Sequence, residues 1–260
     1  MDRGSKKRAR RTARWAVASM SLLAFRQVSK HFPDGGREVA VLDRVSFEVE
    51  VGETVGLLAS RRGGKTTLLK IAAGLMAPDE GSVLWDALEL VEMGHDEAAH
   101  ARRHGGIAFA RGEWRTNRSA SVLEYVSIPL YSGDLNMVSA EDRALHALEL
   151  VGASHLGHRG TSELGLSERL LAELARAIIR KPRLLLVDEP AVFRKPDDAR
   201  AFYELLRSLP EKVGCALLIA SEEVSALRGC RPMMSLSDGR LSSTASRRKV
   251  IDFPGASQDG

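Results

Sequence analysis

Two short segments of this sequence carry residue types that could handle phosphate. The first is Ala59-Ser60-Arg61-Arg62-Gly63-Gly64-Lys65-Thr66-Thr67. Glycines lack a Cβ, so successive backbone N–H groups can turn inward on one anion. Lys65 can set an ammonium beside that anion. The hydroxyls of Thr66 and Thr67 are oxygen donors of the kind a hard cation accepts. Arg61 and Arg62 add positive charge nearby. The second segment is Asp188-Glu189-Pro190, two adjacent carboxylates ahead of a proline. Neither segment is specific alone, because glycine-rich turns before helices and acidic pairs after strands also arise by chance.

The elements around these segments decide how much weight they carry. Val45 to Val51 alternates apolar and polar residues, and Gly52 marks a turn. Thr54 to Ala59 is a short apolar strand that delivers the glycine loop. Thr67 to Leu75 then places Leu68, Leu69, Ile71, Ala72 and Leu75 at helical spacing, so a helix N-terminus stands behind the loop and favours an anion. Further along, Ser167 is a candidate helix cap with Glu168 in the first turn. Leu170, Leu171, Leu174, Ala175, Ile178 and Ile179 form one apolar face, Arg180 and Lys181 suit the C-terminus, and Pro182 stops the helix. Leu184 to Val187 is an unbroken apolar run, the mark of a parallel strand covered on both faces, and it delivers Asp188. A second such run, Ala216 to Ala220, follows the amphipathic segment Asp198 to Leu209. Asp238-Gly239 signals a hairpin. Alternating strands and helices predict an α/β domain with a largely parallel core sheet. Between Asp86 and Thr161 the pattern turns helical and polar, which reads as a lobe inserted into the sheet domain. His95, His100 and His104 lie in that stretch without acidic or cysteine neighbours in a ligand pattern, so they read as solvated histidines rather than a metal site.

Bulk composition is compatible with this and excludes some alternatives. A chain of 260 residues with 44% hydrophobic and 5% aromatic content suits strands covered by helices more than a β-sandwich. The net charge of +4 is local in origin, because Met1 to Arg14 sums to +6 and leaves −2 for the remainder. The basic character therefore belongs to an arm, and a nucleic-acid partner is disfavoured. Trp15 to Phe25 is apolar but far shorter than the ~20 residues that span a bilayer. Its second half, Leu22 to Arg26, reads as a first strand, with Met20 an alternative start. Cys215 and Cys230 lack metal spacing and read as reduced thiols.

Taken together, the loop resembles the Walker A P-loop, and Leu184 to Asp188 with Glu189 resembles a Walker B strand. The chain from about Leu22 to Leu241 is similar to the ATPase subunits of ABC transporters. Further matches are Val28-Ser29-Lys30-His31-Phe32, Ala73-Gly74-Leu75-Met76-Ala77-Pro78, Gly81-Ser82-Val83 and Ser237-Asp238-Gly239-Arg240-Leu241. Ser121 to Val126 followed by Ile128-Pro129-Leu130 resembles the lipoprotein-release, macrolide-export and cell-division branch. The resemblance implies a P-loop NTPase fold with a mostly parallel core sheet, an antiparallel β part and an inserted helical lobe. It implies ATP and Mg²⁺ as ligands. Ser60, Gly63, Gly64, Lys65, Thr66 and Thr67 would hold the phosphates, and Phe32 would stack on adenine. Thr66 and Asp188 would hold the metal, and Glu189 would orient and deprotonate the attacking water.

The departures from the family pattern are equally specific. Ala59 and Arg62 stand where the P-loop has glycines. The only glutamines are Gln27 and Gln258, so the glutamine expected between the lobes is missing, with Arg111 or Gly112 in its place. The signature Leu-Ser-Gly-Gly-Gln reads Leu164-Gly165-Leu166-Ser167-Glu168. The switch histidine is replaced by Ser221-Glu222-Glu223, and a carboxylate there would repel a terminal phosphate. The segment after Pro190 also lacks the family's Ser-Ala-Leu-Asp pattern.

The resulting expectation is an ATP-binding subunit that couples ATP binding, with weak or absent hydrolysis, to transport through a separate membrane permease. The alternative is a degenerate cassette acting as the structural or regulatory half of a heterodimer. Expected partners are the permease and a second cassette, as homodimer or heterodimer. The expected location is the inner face of the membrane, peripheral and cytoplasmic. Residues 1–19 are read as a basic arm, 20–246 as the nucleotide-binding domain with a helical lobe at about 88–181, and 247–260 as a tail.

Overall fold

Short apolar runs build a central sheet, and their alternation decides what packs on each of its faces. The computed structural model describes residues 21–86, 88–89, 106–111, 121–131, 137–188 and 196–243. The basic arm, the tail, Glu189, and His95, His100 and His104 lie outside these residues.

Strands β3 (Thr54–Ala59), β6 (Ile107–Arg111), β7 (Leu184–Asp188), β8 (Ala216–Ser221), β9 (Met233–Ser237) and β10 (Arg240–Ser243) form one sheet in the order β10-β9-β3-β8-β7-β6. All pairs are parallel except β9–β10, which is the hairpin expected at Asp238-Gly239. Both turn residues take positive φ, 50° and 74°, as a tight two-residue hairpin turn requires. A second, antiparallel sheet holds β1 (Ser21–Asp34), β2 (Arg37–Glu50), β4 (Glu80–Trp85) and β5 (Leu88–Glu89), in the order β2-β1-β4-β5.

Successive residues of a strand face opposite sides, and β7 shows the consequence. Leu184 and Leu186 join a core with Leu68, Leu69 and Ile71 of α1 (Lys65–Ala72) and with Leu23, Phe25 and Val28 of β1. Leu185 and Val187 join the opposite core, formed with α2 (Val122–Ser127), α3 (Met137–Leu150), α4 (Leu166–Ile178) and α5 (Pro196–Leu209). In β8, Leu218 and Ala220 point to the first core, and Leu217 and Ile219 to the second. The central sheet is therefore sandwiched, and the expected α/β architecture with its antiparallel part is present.

Some expected boundaries move, each for a local reason. Helix α1 ends at Ala72 rather than Leu75, because Gly74 takes φ +62° and the Leu75 N–H turns back to Lys70 O at 2.8 Å. Helix α4 is capped by Gly165 and not by Ser167: the Glu168 carboxylate accepts the Gly165 N–H at 2.8 Å, which puts Ser167 inside the first turn. The stretch read as a helical lobe, about 88–181, includes the strands β5 and β6. Ile107 to Ala110 is too short an apolar run to declare itself, and pairing with β7 is what makes it a strand. Among the described residues of this stretch the first helix is α2, where Ser121 and Glu124 form a reciprocal capping box at 3.1 and 3.0 Å.

Cys215 and Cys230 are both buried free thiols, and burial pushes each up to about 11, as inert reduced cysteines require. Among the described residues no helix is long and apolar enough to cross a membrane.

Candidate functional site

The C-terminal ends of β3, β7 and β8 meet at one edge of the central sheet. Register pairs Leu58 of β3 with Ser221 of β8, and Ala220 of β8 with Asp188 of β7. Whatever follows these strands therefore emerges side by side, at the place where ligands bind in open α/β sheets.

The loop after β3 closes on itself before α1 begins. The Gly63 N–H donates to Ser60 O at 2.9 Å, and Arg62, third in that turn, takes φ +62°. Such a turn favours glycine at its third place, so Arg62 is held in a conformation that costs an L-residue about 1 kcal/mol or more. Ala59, by contrast, ends β3 buried and without positive φ, so its methyl is accommodated in the strand. A side chain at Gly64 would not be. This residue takes φ +91° as the cap of α1, and a Cβ there would lie 2.9 Å from Val41 O.

Lys65 is only 5% exposed. Its ammonium turns back along the loop and donates to Ala59 O at 3.0 Å and Ser60 O at 2.9 Å. It also donates to Oε1 of Glu222 at 3.3 Å. Thr66 points the other way, and its hydroxyl donates to Oδ2 of Asp188 at 2.7 Å. Thr67 follows, half-buried, on α1.

The structure thus brings Ser60, Gly63, Gly64, Lys65, Thr66 and Asp188 into one cluster. Phe32 lies apart from it, on the antiparallel sheet, where it pairs with Val39. Two residues on, Val41 supplies the carbonyl behind Gly64, so β2 separates the aromatic from the loop by one short segment. The Lys30 ammonium stands 5.7 Å from the Phe32 ring and is fixed by Asp79 at 2.6 Å. That hydrogen bond from Lys30, seconded by the His31 N–H, holds the Asp79 carboxyl below the ordinary carboxylate range. Glu189 follows Asp188 directly but lies outside the described residues. Arg111, one of the two residues at the expected glutamine's place, ends β6 in register with Asp188.

The sequence flagged Glu222 only as a repulsive group. What it missed is that Glu222 already has a cation to face. Its carboxylate reaches Lys65 because β3 and β8 are neighbours, and two similar apolar runs cannot announce that adjacency. Val41 was missed because it belongs to β2 of the antiparallel sheet, and its approach to Gly64 is a contact between the two sheets.

Chemically, the cluster can bind an anion through a helix N-terminus, loop N–H groups and a buried ammonium. Thr66 and Asp188 place a hydroxyl and a carboxylate in contact, a set of hard oxygens suited to Mg²⁺ shared with a bound phosphate. The segment expected to serve as signature is less suited to phosphate. Leu166 is 49% exposed at the first position of α4, and the Gly165 N–H is engaged by Glu168. Arg159 in turn pairs with Glu168.

Comparison with known proteins shows the relatives of this chain. A family model described as ABC transporter matches residues 42–192. The lipoprotein-releasing system ATP-binding protein LolD of Shewanella denitrificans (strain OS217) is 33% identical over 234 residues, covering 89% of this chain and 99% of that protein. The methionine import ATP-binding protein MetN of Myxococcus xanthus (strain DK1622) is 32% identical over 234 residues, covering 90% of this chain and 70% of that protein. Among solved structures, the dimeric ATP-binding cassette MJ0796, in a post-hydrolysis state bound to ADP and Pi, superposes with a TM-score of 0.78. The identity is 22%, with 86% of this chain and all of that chain covered.

Proposed function

The chain belongs to the ABC transporter family of ATP-binding cassettes, and from that premise we propose that it is the ATP-binding subunit of a transporter whose permease is a separate chain. The observation that carries this reading is the cluster around Lys65: a buried ammonium inside a glycine turn at a helix N-terminus, beside Thr66 and Asp188 in contact at 2.7 Å.

In this reading ATP is the substrate. The N–H groups from Gly63 to Thr66 hold its β-phosphate, Lys65 leaves its own carbonyls to reach the β- and γ-oxygens, and Phe32 stacks on the base. Thr66 and Asp188 would hold Mg²⁺, which neutralises charge on the phosphate oxygens when bound. Glu189 orients and deprotonates the attacking water. Two cassettes pair head to tail, and the assembly sits on the inner face of the membrane through the permease.

A second reading has its own support. The exposed Leu166 side chain and the engaged Gly165 N–H leave α4 poorly shaped to face a partner's terminal phosphate. No described residue supplies the missing glutamine or histidine. A chain with these departures binds ATP and turns it over slowly, as the regulatory or structural half of a pair.

Calorimetric titration with Mg·ATP tests the first reading. Binding that is abolished in Lys65→Ala is expected; no binding, or equal binding in the variant, removes the site. ATPase assays separate the two readings. A slow rate that Glu189→Gln hardly changes supports the second, and a robust rate lost in that variant supports a fully active ATPase.

A further inference from the structure

Lys65 and Glu222 are 157 positions apart in sequence and 3.3 Å apart in space. The contact follows from topology, because β3 and β8 end together at Leu58 and Ser221. The two partners differ in exposure. The Lys65 side chain is 6% exposed and that of Glu222 is 38%, so the carboxylate caps the buried ammonium at the solvent side of the loop. The neighbouring Glu223 does not share this role. Its N–H donates to the Ser221 hydroxyl, and its carboxylate accepts from Ser225, both at 3.1 Å.

The consequence depends on which phosphate arrives. In a glycine loop of this kind the backbone N–H groups take the inner phosphates, and the lysine reaches from the β- to the γ-phosphate. A diphosphate can be held by the inner amides while Glu222 stays near Lys65. A triphosphate brings its terminal group, with the larger share of its charge, to the ammonium that Glu222 already faces. It must push the carboxylate away or lie beside it, and like charges a few Å apart near a protein surface repel strongly.

We propose that Glu222 is a specificity-determining residue of the nucleotide site, weighting it toward nucleoside diphosphates and against triphosphates. This rests on the ATP-site reading above and adds to it: Glu222 occupies Lys65 in place of a terminal phosphate. The cassette therefore favours its diphosphate product over the triphosphate more than a site with a neutral residue there.

The test is calorimetric titration of the full chain with Mg·ATP and Mg·ADP, for the wild type, Glu222→Gln and Glu223→Gln. The second variant removes the same net charge without touching Lys65. Expected are a wild type that binds ADP at least as tightly as ATP, and a Glu222→Gln protein whose ATP affinity rises about tenfold while its ADP affinity changes much less. Glu223→Gln should match the wild type. A wild type that prefers ATP by tenfold or more overturns the proposal without recourse to any variant. It is also overturned if Glu222→Gln shifts both nucleotides alike, or shifts them no more than Glu223→Gln does. Absence of binding for both nucleotides in all three proteins overturns the ATP-site reading itself.

Discussion

The Thr66 hydroxyl donates to Oδ2 of Asp188 across 2.7 Å, joining the first turn of α1 to the tip of β7. Separation of 122 positions in the chain is closed by the central sheet, in which only β8 stands between β3 and β7. The hydroxyl and the carboxylate are therefore fixed relative to each other before any metal arrives.

Thr66→Val keeps the shape of the side chain and removes the donor oxygen. Its ATP affinity in EDTA should equal that of the wild type, and the gain on adding Mg²⁺ should fall by roughly tenfold. Titrations with and without Mg²⁺ read this directly. An unchanged Mg²⁺ response would exclude the hydroxyl from the metal site.

Substitutions in the glycine loop should act with opposite signs. Gly64→Ala puts a Cβ 2.9 Å from Val41 O at φ +91°, and urea unfolding should show a loss of about 1–3 kcal/mol. Arg62→Gly relieves an L-residue at φ +62°, and the same measurement should show no loss and up to about 1 kcal/mol gained. Equal effects would mean that the loop relaxes freely around either residue.

Tyr125 ties α2 to α4. Its buried hydroxyl hydrogen-bonds the Glu173 carboxylate, and the Arg176 guanidinium lies 4.8 Å from its ring. Burial first, and Glu173 second, push the phenol well above its ordinary range, so it stays a neutral donor. Tyr125→Phe leaves the carboxylate without this donor and should cost about 1–2 kcal/mol in denaturant unfolding. A smaller loss would show that the Glu173 carboxylate is satisfied without the Tyr125 hydroxyl.

The start of α4 should be acid-sensitive. The Gly165 N–H first, and Arg159 after it, hold the Glu168 carboxyl below the ordinary glutamate range. A depressed native value stabilises the fold above the unfolded carboxyl's pKa, and that contribution is lost as pH falls through the native one. Glu168→Gln should therefore destabilise by roughly 0.5–1 kcal/mol at pH 7 and by less at pH 3. Urea midpoints of both proteins at the two pH values check this, and a difference independent of pH would assign the effect to packing.

Much of this protein was legible in its residues. Leu184 to Val187 and Ala216 to Ala220 can be buried only as strands covered on both faces, and Gly64, Lys65 and Thr66 ahead of a helical pattern have the residue types an anion site needs. The Asp238-Gly239 hairpin follows from local backbone preference alone. These are local properties, set by residues within a few positions of each other. The helix cap at Gly165 was misread because serine is the commoner cap, and Glu168 makes the glycine serve.

What only the tertiary structure decided is who stands beside whom. The order β10-β9-β3-β8-β7-β6 follows no sequence order, and parallel apolar runs carry no mark of their neighbours. Yet that order recruits Ile107 to Arg111 as a strand and turns Glu222 from an unwelcome carboxylate into the partner of Lys65, while β2 of the antiparallel sheet sets Val41 behind Gly64. The reason is physical: a buried ammonium is stabilised by whatever acceptors surround it in space, and those come from strands the chain visits far apart.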